Sequence, residues 1–135
     1  MKIYTSYYGN EKKLIKNNIE IISISLGQPK WIKSNAIQIK ELTPEWVFMK
    51  KEYDDYKKYY YKKLDKQNWD IIGDKIKSLS NGKDVALCCY ESLKNEDEWC
   101  HRTMLAEYVN NLLGYKLITE FSEKPKSQYI QLSLM

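Results

Sequence analysis

Val85-Ala86-Leu87-Cys88-Cys89-Tyr90-Glu91 is the stretch that decides the fold, and Trp99-Cys100-His101-Arg102 follows it after a short polar loop. The apolar run is typical of a buried strand, and it ends at a carboxylate. The chain's only histidine then stands between a cysteine and the only arginine, where an amphipathic helix pattern begins. The carboxyl end of a strand beside a helix N-terminus favours anionic ligands, because free backbone N–H groups and the helix dipole attract negative charge.

The rest of the chain alternates strand and helix patterns. Periodicity and turn residues predict strands at residues 2–7, 19–24, 85–89 and 115–120, with a candidate edge strand at 128–134. They predict helices at residues 11–17, from Thr43-Pro44-Glu45 to Leu64, at 69–79 and at 101–113, with a partly extended loop at 31–40. This order predicts a single α/β domain over residues 1–135, a compact three-layer Rossmann-like fold with a mostly parallel sheet of about four to five strands.

The loops that follow the predicted strands are expected to meet. Right-handed crossovers between parallel strands place such loops along one edge of the sheet, here residues 7–10, 25–31 and 90–102. Tyr7, Ser25 and Trp31 on these loops are candidate ligand-binding residues, since an aromatic ring can stack on a base and a hydroxyl can hold a polar group. An ordinary turn with a packed tryptophan is the alternative interpretation for residues 25–31.

Cys100-His101-Arg102 is the sharpest chemical signal in the sequence. At a helix N-terminus the dipole and a neighbouring cation can lower the pKa of a thiol, so Cys100 is a candidate nucleophile. Arg102 can hold a phosphate or carboxylate, and His101 can carry a proton. Glu91, at the end of the strand, is a candidate general acid or base, or a ribose contact. The alternative is a helix start with one buried thiol, two surface polar residues and a solvated glutamate.

The cysteines and the histidine raise the question of a metal. The spacing from Cys88 and Cys89 to Cys100 and His101 fits none of the usual zinc patterns, which use cysteine pairs separated by two to four residues. Adjacent strand residues also point to opposite faces, so Cys88 and Cys89 cannot both face one ion. The sequence therefore predicts neither a metal site nor a cofactor.

Composition limits the cellular context and the partners. The net charge of +4 permits nucleic acid as a partner, with lysines beside the tyrosines of the long helix, but does not favour it. No apolar run is long enough to span a membrane and no signal peptide is evident, while three cysteines, two of them adjacent, make a poor disulfide framework. A cytoplasmic protein is expected. The apolar residues of the tail are candidates to complete the sheet or to contact a second subunit, so the oligomeric state stays open.

Ala86-Leu87-Cys88-Cys89-Tyr90-Glu91 followed by Cys100-His101-Arg102 resembles the LLCYE…CHR signature of a bacterial and phage family known as domain of unknown function 488. The first strand, residues 22–31 and residues 114–117 also resemble segments of that family, the second of these in a shorter subgroup. The resemblance implies a compact α/β domain whose biochemistry is unsettled. It implies functional roles for Cys89, Glu91, Cys100, His101 and Arg102.

The residues and the resemblance together favour an enzyme that acts on a nucleotide-like or nucleic-acid-derived ligand, by hydrolysis or transfer at a glycosidic bond. In this hypothesis Glu91, Cys100, His101 and Arg102 form the catalytic and anion-binding group, and Tyr7, Ser25, Trp31 and Cys89 contact the ligand. A non-catalytic protein that captures a nucleotide or a protein partner is the main alternative. A nucleic-acid-binding accessory protein and a thiol enzyme based on Cys100 also remain open.

Overall fold

A five-stranded parallel sheet forms the centre of the protein. A computed structural model describes residues 1–34, 36–48, 51–90 and 100–123. The strands are β1 (Ile3–Tyr7), β2 (Ile19–Ser23), β3 (Ile37–Gln38), β4 (Asp84–Cys89) and β5 (Ile118–Glu120). Their order is β3-β2-β4-β1-β5, and every neighbouring pair is parallel. The predicted α/β class and strand number are confirmed.

Four α-helices connect these strands within the described residues. They are α1 (Glu11–Lys16), α2 (Tyr53–Asp65), α3 (Trp69–Leu79) and α4 (His101–Leu113). Short 3₁₀ helices occupy Tyr8–Asn10, Lys40–Leu42 and Trp46–Phe48. In the part of the chain that the structure describes, none of the helices combines the length and the apolar character needed to cross a membrane.

The two faces of the sheet carry separate apolar clusters. On one face Val85 and Leu87 of β4 pack with residues of α2, α3 and α4. On the other face Ala86 and Cys88 pack with residues that include Leu14 of α1. Because side chains of a strand alternate between faces, both sides of β4 are covered, as expected of a parallel sheet. The resulting three layers confirm the Rossmann-like architecture.

The predicted start of the long helix is wrong. Thr43 directly follows the 3₁₀ helix Lys40–Leu42, and its Oγ1 donates back to the carbonyl of Ile39 at 2.8 Å, so its hydroxyl closes that turn and does not cap a following helix. α2 begins only at Tyr53. The same residue types suit both structures, since threonine also bonds to nearby backbone in turns. The inner face of α2 is as predicted, with Tyr56, Tyr60 and Leu64 buried.

Asn110 of α4 anchors the start of β5. Its Oδ1 accepts hydrogen bonds from the backbone N–H groups of Leu117 and Ile118, both at 2.9 Å, and its Nδ2 donates to the carbonyl of Ile118. β5 therefore begins at Ile118, three residues later than the sequence pattern indicated. The predicted edge strand at 128–134 lies outside the described residues. The anchoring matters for the site because β5 ends at Glu120.

Candidate active site at the carboxyl edge of the sheet

The ends of the central strands bring the predicted site segments together. Tyr7 at the end of β1 is the register partner of Cys89 at the end of β4. Beyond β2, the backbone N–H of Ile24 donates to the carbonyl of Cys88 at 3.0 Å. α4 begins at His101, directly after Cys100. Residues from three distant parts of the sequence thus meet at one edge, as the parallel arrangement predicts.

Arg102 is fully buried at this edge. Its Nη1 donates to Cys89 Sγ at 2.9 Å, and its Nε and Nη2 donate to the carboxylate of Glu120 at 3.0 to 3.2 Å. The guanidinium also lies 5.6 Å from the centre of the Tyr7 ring. Burial opposes the charge, but the bonds to Glu120 and the neighbouring Cys89 outweigh it and raise the pKa of Arg102 further above its usual value. Arg102 therefore joins β1, β4 and β5 through one charged group.

Glu120 is a site residue that sequence reasoning missed. Its Oε1 also accepts a hydrogen bond from Thr5 Oγ1 at 2.7 Å, which ties β5 to β1. Its side chain keeps 42% exposure, while that of Arg102 keeps 1%. The signal that could have revealed it is the one that selected Glu91, a carboxylate that closes a predicted strand of the sheet.

Gly9 allows the Tyr7 ring to lie where it does. A Cβ atom at residue 9 would approach the ring of Tyr7 to 2.8 Å, closer than side-chain carbons ever come. Glycine is therefore required for the ring to occupy its place beside Arg102. The turn after β1 contributes to the site through this small residue.

His101 is buried and neutral. Its Nε2 lies 2.6 Å from the carbonyl of Ile24, which can only accept, so Nε2 carries the proton and Nδ1 carries the lone pair. The ring packs edge-on against Tyr60, with 5.7 Å between ring centres. Burial lowers the pKa of His101 to about 4. The predicted proton carrier is therefore uncharged near pH 7.

The pKa of Cys100 is raised, whereas its position at a helix N-terminus predicted a lowered pKa and a thiolate. Its sulfur lies 3.7 Å from Nδ1 of His101. Hydrogen bonding to Cys89 and burial raise the pKa of the Cys100 thiol, and the nearby Arg102 only partly offsets these effects. Cys100 is therefore protonated near neutral pH. Cys88 faces the opposite apolar cluster, as predicted from strand alternation, and burial raises its pKa also.

Ser25 joins the edge through Tyr8, a buried tyrosine that the sequence analysis did not select. The Tyr8 hydroxyl lies 2.7 Å from Ser23 Oγ and 2.5 Å from Ser25 Oγ, and Ser25 Oγ donates to the carbonyl of Gly27. Burial raises the pKa of Tyr8 despite these bonds. The serine hydroxyl is therefore engaged within the protein. Trp31, in contrast, is 60% exposed at the surface.

The structure thus groups most of the predicted site residues. Cys89, Cys100, His101 and Arg102 contact one another directly or through a shared neighbour, and Tyr7 covers the guanidinium. Glu91 lies outside the described residues, together with the rest of residues 91–99. The catalytic and ligand-binding roles assigned to these residues remain predictions.

The site lies within a segment with a known family match. Residues 4–112 match DUF488-N3a, described as the active DUF488-N3 subclade. The chain belongs to the DUF488 family. In this DUF488 protein the matched segment runs from β1 to the last turn of α4, so it includes the cysteines, His101 and Arg102, whereas Glu120 follows it. No curated protein and no solved structure matches the chain.

Proposed function

We propose that this DUF488 protein is an enzyme that hydrolyses or transfers a glycosidic bond of a nucleotide-like or nucleic-acid-derived ligand. The observation that carries the proposal is the meeting of Tyr7, Cys89 and residues 100–102 at the carboxyl ends of β1 and β4. Ligands of open α/β sheets bind outside this edge. The nearby helix N-terminus and the guanidinium together favour an anionic group such as a phosphate.

The anion is held at the N-terminal end of α4, where the helix dipole and the charge of Arg102 both attract it. Glu120 is the part of the Arg102 cluster that faces solvent, with 42% of its side chain exposed. A phosphate that reaches Arg102 therefore displaces this carboxylate from the guanidinium or binds the guanidinium together with it. Tyr7 and Trp31 supply aromatic surfaces for a base, and Trp31 is exposed enough to do so.

Glu91 acts as the general acid or base, or holds a ribose hydroxyl. In hydrolysis the glycosidic bond breaks, the oxygen of a water molecule joins the sugar carbon, and a proton goes to the leaving base. His101 positions neighbouring groups, because its Nε2 proton is held by Ile24 and its ring is neutral. Cys100, with its raised pKa, forms a wall of the site.

A non-catalytic nucleotide-binding protein is the second candidate. The observation that favours it is that Cys100 and His101 are both uncharged near neutral pH, since the pKa of Cys100 is raised and the pKa of His101 is lowered to about 4. The same edge then holds a ligand without changing it. Cys88, Cys89 and Cys100 are thiols that form no disulfide with one another, which supports a reducing compartment such as the cytoplasm for either candidate.

Mass spectrometry of ligands after incubation with the protein separates the two candidates. NAD, nucleotides and nucleosides are each incubated with wild-type protein, with Glu91→Gln and with the matched control Glu96→Gln, which alters another glutamate close by in the sequence. A cleaved product from wild type and Glu96→Gln, but not from Glu91→Gln, supports the enzyme. Intact ligand that elutes with the protein supports the binder. Absence of both product and retained ligand contradicts both candidates.

A further inference from the structure

Three potential metal ligands come together at the carboxyl end of β4. The sulfur atoms of Cys89 and Cys100 and a ring nitrogen of His101 all lie within 4.8 Å of one another, and all three residues are buried. Tetrahedral zinc, with Zn–S near 2.3 Å and Zn–N near 2.0–2.1 Å, separates its ligand atoms by about 3.5–3.8 Å. The distance from Cys100 Sγ to His101 Nδ1 is already 3.7 Å.

The histidine has the orientation that metal ligands need. A metal-bound imidazole usually donates its other ring N–H to a carbonyl or carboxylate, which fixes the tautomer and the ring plane. Here Nε2 donates to the carbonyl of Ile24 at 2.6 Å. The edge-on contact with Tyr60 holds the ring from a second direction. The lone pair of Nδ1 is thereby presented next to the sulfur of Cys100.

The surrounding charges accept a divalent cation. Arg102 contacts Cys89, and its charge is already matched by the carboxylate of Glu120. Two thiolates and one divalent cation add no net charge to this buried group. The hydrogen bond from Arg102 to Cys89 Sγ can persist, because a zinc-bound sulfur still accepts hydrogen bonds. The buried arginine therefore does not exclude the ion.

We propose that Cys89, Cys100 and His101 form a Zn²⁺ site with three protein ligands and a fourth position for an external ligand. Two sulfur–zinc bonds and one nitrogen–zinc bond form, two thiol protons leave to solvent, and nothing is oxidised or reduced. Imidazole and thiolate are the ligands that zinc prefers. The site does not depend on the proposed enzymatic function. The sequence spacing concealed it because the ligands come from a strand end and a helix start that only the fold brings together.

Zinc and cobalt titrations of the reduced, metal-free, full-length chain test the proposal. We expect one Zn²⁺ per chain, measured by competition with a chromophoric chelator, and a higher unfolding temperature in its presence, because an ion that binds only the folded state stabilises it. With Co²⁺ we expect a sulfur-to-cobalt charge-transfer band and the visible absorption of a tetrahedral ion. Failure of the reduced wild-type protein to bind zinc, or a cobalt spectrum without the sulfur band, overturns the proposal.

Cys88 provides a matched control on the same strand. It is a buried cysteine next to Cys89, but it belongs to the cluster on the opposite face of the sheet. We expect Cys88→Ser to keep stoichiometric zinc binding and the cobalt band, and Cys89→Ser and Cys100→Ser to lose both. Equal loss in Cys88→Ser with an intact circular dichroism spectrum contradicts the site.

Alkylation of the wild-type chain keeps the proposal testable if the variants do not fold. Peptide mapping by mass spectrometry follows modification of Cys89 and Cys100 with and without zinc. We expect zinc to slow the modification of both residues at least about tenfold, since a metal-bound thiolate is a ligand and is no longer free to react. Unchanged rates at saturating zinc contradict the site.

Discussion

The buried guanidinium of Arg102 holds the half-exposed carboxylate of Glu120 through bonds of 3.0 to 3.2 Å from Nε and Nη2. The two residues come from the start of α4 and the end of β5. The side chain of Arg102 is 1% exposed and that of Glu120 is 42% exposed, so water reaches only the carboxylate freely. Removing the carboxylate leaves a buried charge, whereas removing the guanidinium leaves an anion that water can reach.

This asymmetry predicts unequal costs for the two substitutions. Glu120→Ala should lower the free energy of unfolding by about 2–4 kcal/mol, because Arg102 keeps an uncompensated charge inside the protein. Arg102→Met should cost about 1 kcal/mol, because methionine fills much of the volume and water solvates Glu120. Urea unfolding measures both free energies, provided that the dependence on urea concentration is the same for wild type and variants. A larger cost for Arg102→Met than for Glu120→Ala would disagree with this account.

The hydroxyl of Tyr60 is expected to contribute to the free energy of unfolding. Its buried hydroxyl donates to the carbonyl of Leu42 at 2.6 Å. Tyr60→Phe should therefore cost about 1–2 kcal/mol, because it leaves that carbonyl without this donor. Tyr59→Phe on the same helix is the control, and it should change stability by less than about 0.5 kcal/mol because Tyr59 is 40% exposed. Equal effects on the thermal unfolding of the two variants would refute the role of the hydroxyl.

Glu11 is expected to cause part of the loss of folding stability at acid pH. Burial alone raises its pKa, but hydrogen bonds from the backbone and hydroxyl of Ser34 and from the backbone of Lys33 outweigh burial and hold the pKa below 4.5. A lowered folded-state pKa stabilises the protein above the unfolded value, and this stability is lost as pH falls through the folded value. Glu11→Gln should therefore cost about 1–2 kcal/mol at pH 7.

The pH dependence of this difference is the test. We expect the gap in urea-unfolding free energy between wild type and Glu11→Gln to narrow as the pH falls from neutral through the acid range. The exposed glutamate variant Glu107→Gln is the control, with a small gap throughout, since Glu107 forms a surface pair with Lys57. A gap for Glu11→Gln that widens at low pH would show that the sign is wrong.

Two glycines predict stability changes of opposite sign. Gly114 ends α4 with φ of +77°, so Gly114→Ala should destabilise by about 1 kcal/mol through backbone strain. Gly73 lies within α3, and a Cβ atom there meets no atom within 4 Å. Gly73→Ala should stabilise by about 0.5–1 kcal/mol through helix propensity. Thermal unfolding compares the two variants, and a shift in the same direction for both would be inconsistent with the backbone geometry.

Local patterns were sufficient for most elements. The apolar run of β4, the amphipathic periods of α3 and α4 and the glycine after α4 depend on neighbouring residues, so the sequence predicts them directly. Thr43-Pro44-Glu45 was wrongly predicted to start a helix, because threonine and proline are common in turns as well as at helix starts. There the hydroxyl of Thr43 bonds back to Ile39, and only the surrounding contacts select that geometry.

By itself the sequence determined the α/β class, the strand-edge location of residues 100–102 and the opposite orientation of Cys88 and Cys89, because these follow from local periodicity and from the parallel connection rule. Only the tertiary structure decided that Arg102 pairs with Glu120 and that Cys89 approaches Cys100 and His101. Strand order sets those contacts, since β5 lies beside β1 and brings a distant carboxylate to the edge. Burial then sets the charge of each group, and burial is a property of the packed chain as a whole.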